Sequence, residues 1–334
     1  MKFFMISICL CCLSCSVNEG QIKKINGISV VASSKKISKK NISSILNIKA
    51  NYAAIMPFGF IKEVNHPNIN YNLDMQWYGE TKAGAKQYIE ALHKHNISVM
   101  LKPQIWISHG VFTGHLKMTN EKDWLILEKS YTNFILDYAR LAQETQVPIF
   151  CMGTELELFI KNRPQYWKSL IQKIRNIYDG KITYAANWNE YANTPFWKQL
   201  DYIGIDAYFP LSEEKDPTVQ QLKKKWEKHK EIIKKHSDSI HKKILFTEFG
   251  YRSIDYTTHK PWDADYTKKN INLKAQSIAI QSLFEVFWNE KWFAGGFLWK
   301  WFIDYQNVGG KDNNRFTPQN KPAELIVKKH YQTK

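Results

Sequence analysis

The sequence predicts an α/β fold in which eight parallel strands alternate with helices. The chain has eight short apolar runs of strand length, and a helical pattern lies between successive runs. Such alternation implies parallel pairing with right-handed crossovers. The alternative, an open doubly wound sheet, requires a Gly-rich phosphate loop, and the chain has no G-x-G-x-x-G or Walker-type match. We therefore predict a single (β/α)8 TIM barrel, which a chain of 334 residues can accommodate.

The predicted strands are short and mostly apolar. In order, they lie at residues 26–32, 52–60, 97–106, within 147–158, at 181–188, 201–208, within 243–251 and at 293–301. The predicted helices have apolar residues at helical spacing or a proline in the first turn. They lie at residues 34–50, 84–96, 123–146, 164–178, 194–200, 219–241 and 265–291.

Two predicted strands end in the same dipeptide, Thr-Glu. The fourth strand leads to Glu155, and the seventh leads to Glu248. Active sites of TIM barrels lie at the C-terminal ends of the strands, so we expect the two carboxylates to face each other across the barrel mouth. A single glutamate at a strand end could equally be a solvated loop residue. Glu157 lies two residues beyond Glu155, and we expect it to be a supporting or solvent-exposed residue once the chain turns.

The other strand ends carry amide, aromatic and charged side chains. We predict that these side chains bind substrate: Lys102, Gln104, Trp106, Asn187, Trp188, Tyr208, Arg252 and Trp299. Cleavage of a glycosidic bond requires one carboxyl group as acid and a second as nucleophile or base. Tryptophan faces can stack on sugar rings, while amides and charged groups can bind hydroxyls. The predicted site is therefore typical of an enzyme that acts on a polysaccharide or oligosaccharide.

Composition narrows the other possibilities. Hydrophobic residues make up 44% of the chain and aromatic residues 14%, which excludes a disordered protein. The formal net charge of +16 could indicate nucleic-acid binding. The lysines lie on predicted helix faces such as 221–235, however, so we interpret them as a solvated exterior and expect no nucleic-acid partner. The ten histidines form no H-E-x-x-H motif, and we expect neither a metal nor a cofactor.

The N-terminus resembles a targeting segment. Lys2 precedes an apolar stretch at residues 3–13 that is too short to span a bilayer, and the stretch ends in Leu13-Ser14-Cys15. This ending resembles a bacterial lipobox, although Cys12 stands where leucine is usual. We predict a signal peptide at 1–15, a linker at 16–24 and a catalytic domain at 25–334. The expected location is the cell envelope, anchored by a lipid on Cys15, with a periplasmic or secreted protein as the alternative.

The remaining cysteine, Cys151, lies inside the fourth apolar run. We interpret it as a small buried hydrophobic residue, with a nucleophilic role as the less favoured alternative. With a single cysteine in the body of the chain, the domain has no disulfide framework and no cysteine-based zinc site.

Several of these segments together resemble glycoside hydrolase family 113. They are L-K-P at 101–103, G-T-E-L at 153–156, G-I-D-A-Y-F-P-L at 204–211, F-T-E-F-G-Y-R-S at 246–253 and P-W at 261–262. The resemblance extends from about Asn26 to Tyr305. It implies a clan-A type barrel with retaining endo-β-mannanase activity, in which Glu155 is the acid/base and Glu248 the nucleophile. Most clan-A enzymes have asparagine before the acid/base; Thr154 stands there in this chain.

The sequence therefore leads to two hypotheses. The first is a retaining hydrolase of β-linked glycans, directed to mannan or glucomannan, acting as a monomer. The second is a surface lipoprotein that binds glycans with a TIM barrel but does not cleave them. Retention of both glutamates favours the first hypothesis. For a retaining enzyme we expect Glu248 to be ionised, with Tyr208 or Arg252 beside it, and the two carboxyl groups to lie about 5–5.5 Å apart.

Overall fold

The structure, a computed structural model, describes residues 24–265, 267 and 270–332. Eight strands form a closed parallel barrel, and helices connect most successive strands. The prediction of a (β/α)8 barrel is therefore confirmed. The predicted signal peptide at 1–15 and all of the predicted linker except Lys24 lie outside the described residues.

The described residues contain ten strands, numbered here in chain order. They are β1 (Ile25–Val30), β2 (Tyr52–Ile55), β3 (Phe58–Ile61), β4 (Ser98–Leu101), β5 (Gln104–Ile107), β6 (Ile149–Thr154), β7 (Lys181–Asn187), β8 (Tyr202–Asp206), β9 (Lys243–Phe249) and β10 (Phe293–Trp301). Around the barrel the order is β1, β10, β9, β8, β7, β6, β4 and β2. Strands β3 and β5 form a separate parallel pair.

The helices are also numbered in chain order. They are α1 (Lys39–Asn47), α2 (Lys82–His93), α3 (Glu121–Glu144), α4 (Glu157–Asn162), α5 (Pro164–Arg175), α6 (Val219–Ile240), α7 (Leu273–Phe287) and α8 (Pro322–Gln332). No helix in the described part of the chain is both long and apolar enough to cross a bilayer.

Two predicted strands are broken by proline. The run at 52–60 divides at Pro57 into β2 and β3, and the run at 97–106 divides at Pro103 into β4 and β5. Proline has no N–H to donate to a ladder, so regular pairing stops there. The two segments nevertheless stay in contact at the break, because the Gln104 N–H donates to the Pro57 carbonyl at 2.9 Å.

Two helical predictions need correction. The helix expected at 194–200 is only a 3-10 turn at Trp197–Gln199. The helix expected at 265–291 begins at Leu273, because the Asn272 side chain caps it by accepting from the Ala275 N–H. Two helices were not predicted: the short α4, and α8, which follows the last barrel strand.

The hydrophobic core has two parts. A large shell lies between the strands and helices, and a smaller cluster that includes Met100, Ile149, Cys151 and Leu245 fills the inside of the barrel. Cys151 is completely buried, as predicted, and this burial raises the pKa of its thiol to about 12. Reactive thiolates need the opposite shift, so Cys151 is a packing residue.

Candidate active site

A column of side chains on β4 and β5 leads from the barrel interior to its mouth. Side chains two residues apart on a strand point the same way, and this alternation continues past Pro103. Met100 belongs to the apolar interior, Lys102 is completely buried above it, Gln104 is 9% exposed, and Trp106 is 49% exposed. The column therefore places a cation, an amide and an indole at increasing distance from the interior.

Glu248 points into the same space because β9 contains a bulge. Ile205 of β8 pairs with Phe246, but the next residue, Asp206, pairs with Glu248, so Thr247 is an extra residue on β9. A bulge changes the direction of the side chains that follow it. Thr247 and Glu248 consequently both face inward, where the Thr247 hydroxyl donates to Asp206 Oδ1 at 2.6 Å.

The Glu248 carboxylate accepts hydrogen bonds on both oxygens. Lys102 Nζ donates to Oε1 at 2.6 Å and Gln104 Nε2 donates to Oε1 at 3.2 Å, while the Tyr208 hydroxyl donates to Oε2 at 2.8 Å. These donors come from three different parts of the barrel rim. They hold the carboxylate in one orientation at the mouth, and Tyr208 occupies the position beside Glu248 that the sequence predicts.

Asp206 lies in the site, although it was not among the predicted catalytic or substrate-binding residues. It is completely buried, and Lys102 Nζ lies 3.5 Å from its Oδ1. Burial raises the pKa of Asp206 to about 7, and the charge of Glu248 adds to this rise while Lys102 opposes it. For Lys102, burial alone would lower the pKa, but Asp206 and Glu248 outweigh this effect and raise it. The lysine therefore stays cationic between the two carboxyl groups.

Glu155 follows β6 directly and has an uncommon backbone conformation. Its φ angle is 50°, in the left-handed region, and its N–H donates to the Ala185 carbonyl of β7 at 2.8 Å. Strand β6 also has an extra residue before this point, since Cys151 pairs with Thr183 but Thr154 pairs with Ala185. The bulge and the left-handed residue together turn the chain from β6 into α4. Glu157, the first residue of α4, is exposed.

The electrostatic environment of Glu155 differs from that of Glu248. Glu155 is half-buried as a residue, and protein groups displace water from around its carboxyl group enough to disfavour the charged form. This desolvation, followed by the charges of Asp206 and Glu248, raises the pKa of Glu155 well above its usual value. Two carboxyl groups with different surroundings are the arrangement that acid/base chemistry requires, because one can donate a proton while the other acts as an anion.

Aromatic side chains occupy other positions at the strand ends. Trp188, after β7, stacks on Trp262 with ring centroids 5.4 Å apart and planes at 19°, and Trp262 is 43% exposed. Trp299, near the end of β10, is partly buried, with the Lys300 ammonium 5.4 Å from its ring. Trp262 was part of the family resemblance but was not among the predicted site residues.

Two predicted substrate-binding side chains bind other parts of the protein through at least one polar atom. Arg252 is 1% exposed, and its guanidinium donates to the carbonyls of Asn314 and Asp265 at 3.2 and 2.5 Å. Arg252 thus holds loops above β9 together. The Asn187 Oδ1 accepts from the N–H of Trp188 at 2.7 Å. In the described residues, no group of three or more His, Cys, Asp or Glu side chains is arranged to hold a metal ion.

Comparison with known proteins identifies the family. The model of Glycoside Hydrolase Family 113 matches residues 32–321. No curated protein sequence matches the chain.

Solved structures with a similar fold include two mannanases of this family. The β-mannanase AaManA from Alicyclobacillus acidocaldarius, in complex with ManMIm, has a TM-score of 0.79 at 21% identity, covering 92% of this chain and 97% of its own. A β-1,4-mannanase has a TM-score of 0.80 at 21% identity, covering 93% of this chain and all of its own. A β-glucuronidase from Faecalibacterium prausnitzii has a TM-score of 0.60 at 13% identity, covering 92% of this chain and 48% of its own. At these identities the likeness shows the fold.

Proposed function

Because the chain belongs to glycoside hydrolase family 113 and is therefore a glycoside hydrolase, we propose that it cleaves β-1,4-mannan or glucomannan with retention of configuration. The observation that carries the proposal is the pair of unlike glutamates. Glu248 is held by Lys102, Gln104 and Tyr208, while the pKa of Glu155 is raised. The likeness to β-mannanase structures supports mannan as the substrate.

In the first step, Glu155 donates its proton to the glycosidic oxygen while a Glu248 oxygen attacks the anomeric carbon. The C–O bond to the leaving sugar breaks, and a covalent glycosyl-enzyme forms. In the second step, Glu155 removes a proton from water, whose oxygen attacks the anomeric carbon and releases Glu248. Once Glu248 is esterified its negative charge is gone. The pKa of Glu155 then falls, which suits its change from acid to base.

We propose a role for each surrounding residue from how deeply it is buried and from what its side chain contacts. Lys102 is completely buried, so it holds Glu248 and Asp206 rather than contacting sugar. Arg252 supports the loops. Sugar contacts are proposed for the side chains that keep exposure or face the mouth: Gln104, Trp106, Asn187, Trp188, Tyr208 and Trp299.

We also propose that the enzyme is exported as a monomer and anchored in the bacterial envelope through a lipid on Cys15. Export and the lipid anchor are supported by the sequence at residues 2–15, which has a basic residue and a short apolar stretch that ends in Leu13-Ser14-Cys15. A lipid anchor would keep the barrel at the membrane surface, where it would meet soluble glycan fragments.

The test is product release from a panel of mannan, glucomannan, xylan and cellulose, with the first product followed by NMR before mutarotation. We expect mannan and glucomannan to be cleaved and a β-anomer to form first. An α-anomer would exclude the retaining mechanism. Binding of mannan without any product would instead support a non-catalytic glycan-binding lipoprotein.

A further inference from the structure

A chain of hydrogen bonds lies directly behind Glu155. The N–H of Leu156 donates to the Tyr184 hydroxyl at 2.6 Å, and this hydroxyl donates to Glu190 Oε1 at 2.9 Å. The other carboxylate oxygen, Oε2, accepts from the N–H of Asn187 at 3.1 Å. The chain thus links the loop after β7 to the residue that follows Glu155.

Glu190 is an unusual side chain for its position. It is 4% exposed, and its hydrogen bonds come from a phenol and a backbone N–H rather than from a cation. Burying a carboxyl group in this way is costly, and burial raises the pKa of Glu190 to about 7. Burial and the nearby Glu190 also raise the pKa of Tyr184 well above its usual value, so the phenol keeps the proton that it donates.

The conformation of Glu155 explains why such support is needed. A residue other than glycine at a φ of 50° is in a sparsely populated region and persists only where its surroundings hold it. On one side, the Glu155 N–H is bound to the Ala185 carbonyl. On the other side, the next N–H, that of Leu156, is bound to Tyr184. Removing the second bond frees the peptide that sets the direction of the Glu155 side chain.

We propose that Glu190 is a positioning residue that acts through Tyr184 to fix the backbone at Glu155, and so aims the proton donor at the glycosidic oxygen. The inference rests on the proposed function, because it takes Glu155 as the acid/base. Glu190 does not contact the sugar in this account. Its effect is confined to the steps in which Glu155 moves a proton.

The test compares two substrates that differ in their need for a proton donor. An unmodified mannooligosaccharide has a poor leaving group, whereas a dinitrophenyl β-mannobioside releases its phenolate without protonation. For Tyr184→Phe we expect kcat/KM on the oligosaccharide to fall by roughly 10- to 100-fold, because a small displacement of a catalytic group can cost about 100-fold. On the activated glycoside we expect a loss of less than about 3-fold, because the general acid contributes little to that reaction.

The matched control is Tyr178→Phe. The Tyr178 hydroxyl is also buried and also binds backbone beside β6, the Val147 carbonyl at 2.7 Å, but before the strand rather than after it. This variant should lower kcat/KM on both substrates equally or not at all. At Glu190, glutamine keeps an acceptor for the phenol, so Glu190→Gln should retain more activity on the oligosaccharide than Glu190→Ala.

Two results would overturn the inference. Tyr184→Phe could cleave both substrates as fast as the parent, or it could lose the same factor on both, as a general loss of folded protein would cause. An inactive parent on every mannan substrate would instead count against the proposed function, so the two failures can be told apart.

Discussion

Replacing Lys102 with methionine tests the charge arrangement at the barrel mouth. Methionine has about the same length and is apolar, so it keeps most of the packing and removes the cation. The ammonium lies 2.6 Å from Glu248 and 3.5 Å from Asp206 and is completely buried. Removing one partner from a buried ion pair costs about 3–5 kcal/mol, because the remaining charge has no compensation. At about 2 °C per kcal/mol for a domain of this size, we expect Tm to fall by roughly 6–10 °C.

The fall in Tm caused by Lys102→Met should increase as the pH rises. The pKa of Asp206 is about 7 in the folded protein, against 3.8 as its ordinary value. A raised folded-state pKa contributes stability that is complete below pH 3.8 and is lost as the pH rises through about 7. Lys102 opposes the rise in the pKa of Asp206, so without Lys102 the Asp206 carboxyl group binds its proton more tightly still. The Tm deficit of the variant should therefore be larger at pH 8 than at pH 5.

Thermal denaturation of the parent and variants at both pH values measures this effect. Lys86→Met removes an exposed lysine that is paired with Glu144, and it should melt like the parent. Adding Asp206→Asn to Lys102→Met removes one of the two uncompensated charges and should restore part of the lost Tm. If Lys102→Met melts at the parent temperature, or if its deficit is the same at pH 5 and pH 8, the buried charge cluster does not act as described.

Three further predictions concern activity and location. Glu155→Gln and Glu248→Gln should each abolish mannan hydrolysis while thermal denaturation still shows a folded protein; parent rates in either variant would exclude that glutamate from the mechanism. Trp262→Ala removes the exposed ring of a stacked pair, and we expect KM for long mannooligosaccharides to rise by about 2- to 10-fold, with little change for short ones; equal KM values would show that the pair binds no sugar. Mass spectrometry of the mature N-terminus should find a lipid on Cys15, and an unmodified N-terminus after that residue would indicate ordinary secretion.

The barrel could be predicted from the sequence because its signals are repeated and local. Each buried strand has a continuous apolar run, and in the helices between the strands the apolar residues recur every three or four positions. The strand breaks were harder to predict, because residues 52–60 and 97–106 keep the residue types of one strand on both sides of Pro57 and Pro103. Only the separate pairing of β3 with β5 shows that Pro57 and Pro103 divide the barrel ladder from a second, two-stranded ladder.

The candidate site was only partly predictable for a related reason. Glu155 and Glu248 could be found because each ends an apolar run, but the sequence contains no sign that Thr247 is an extra residue in β9. Asp206 looks like an ordinary strand end until its burial beside Lys102 is known. Glu190 lies in a loop, and its importance depends on a tyrosine from the middle of β7 and on a backbone N–H from another strand end.

The bulge in β9 makes chain length, rather than residue type alone, a determinant of the site. In a regular strand, neighbours alternate between the interior and the helical shell, so Thr247 and Glu248 could not both turn inward. If β9 kept all its residues but paired regularly, Glu248 would follow Thr247 onto the opposite face and point toward the shell. A deletion of Thr247 would instead give a regular ladder in which the glutamate takes the inward position of Thr247, and the hydroxyl that donates to Asp206 would be lost. The additional residue therefore lets two successive side chains of one strand act inside the barrel, one binding Asp206 and the other available at the mouth.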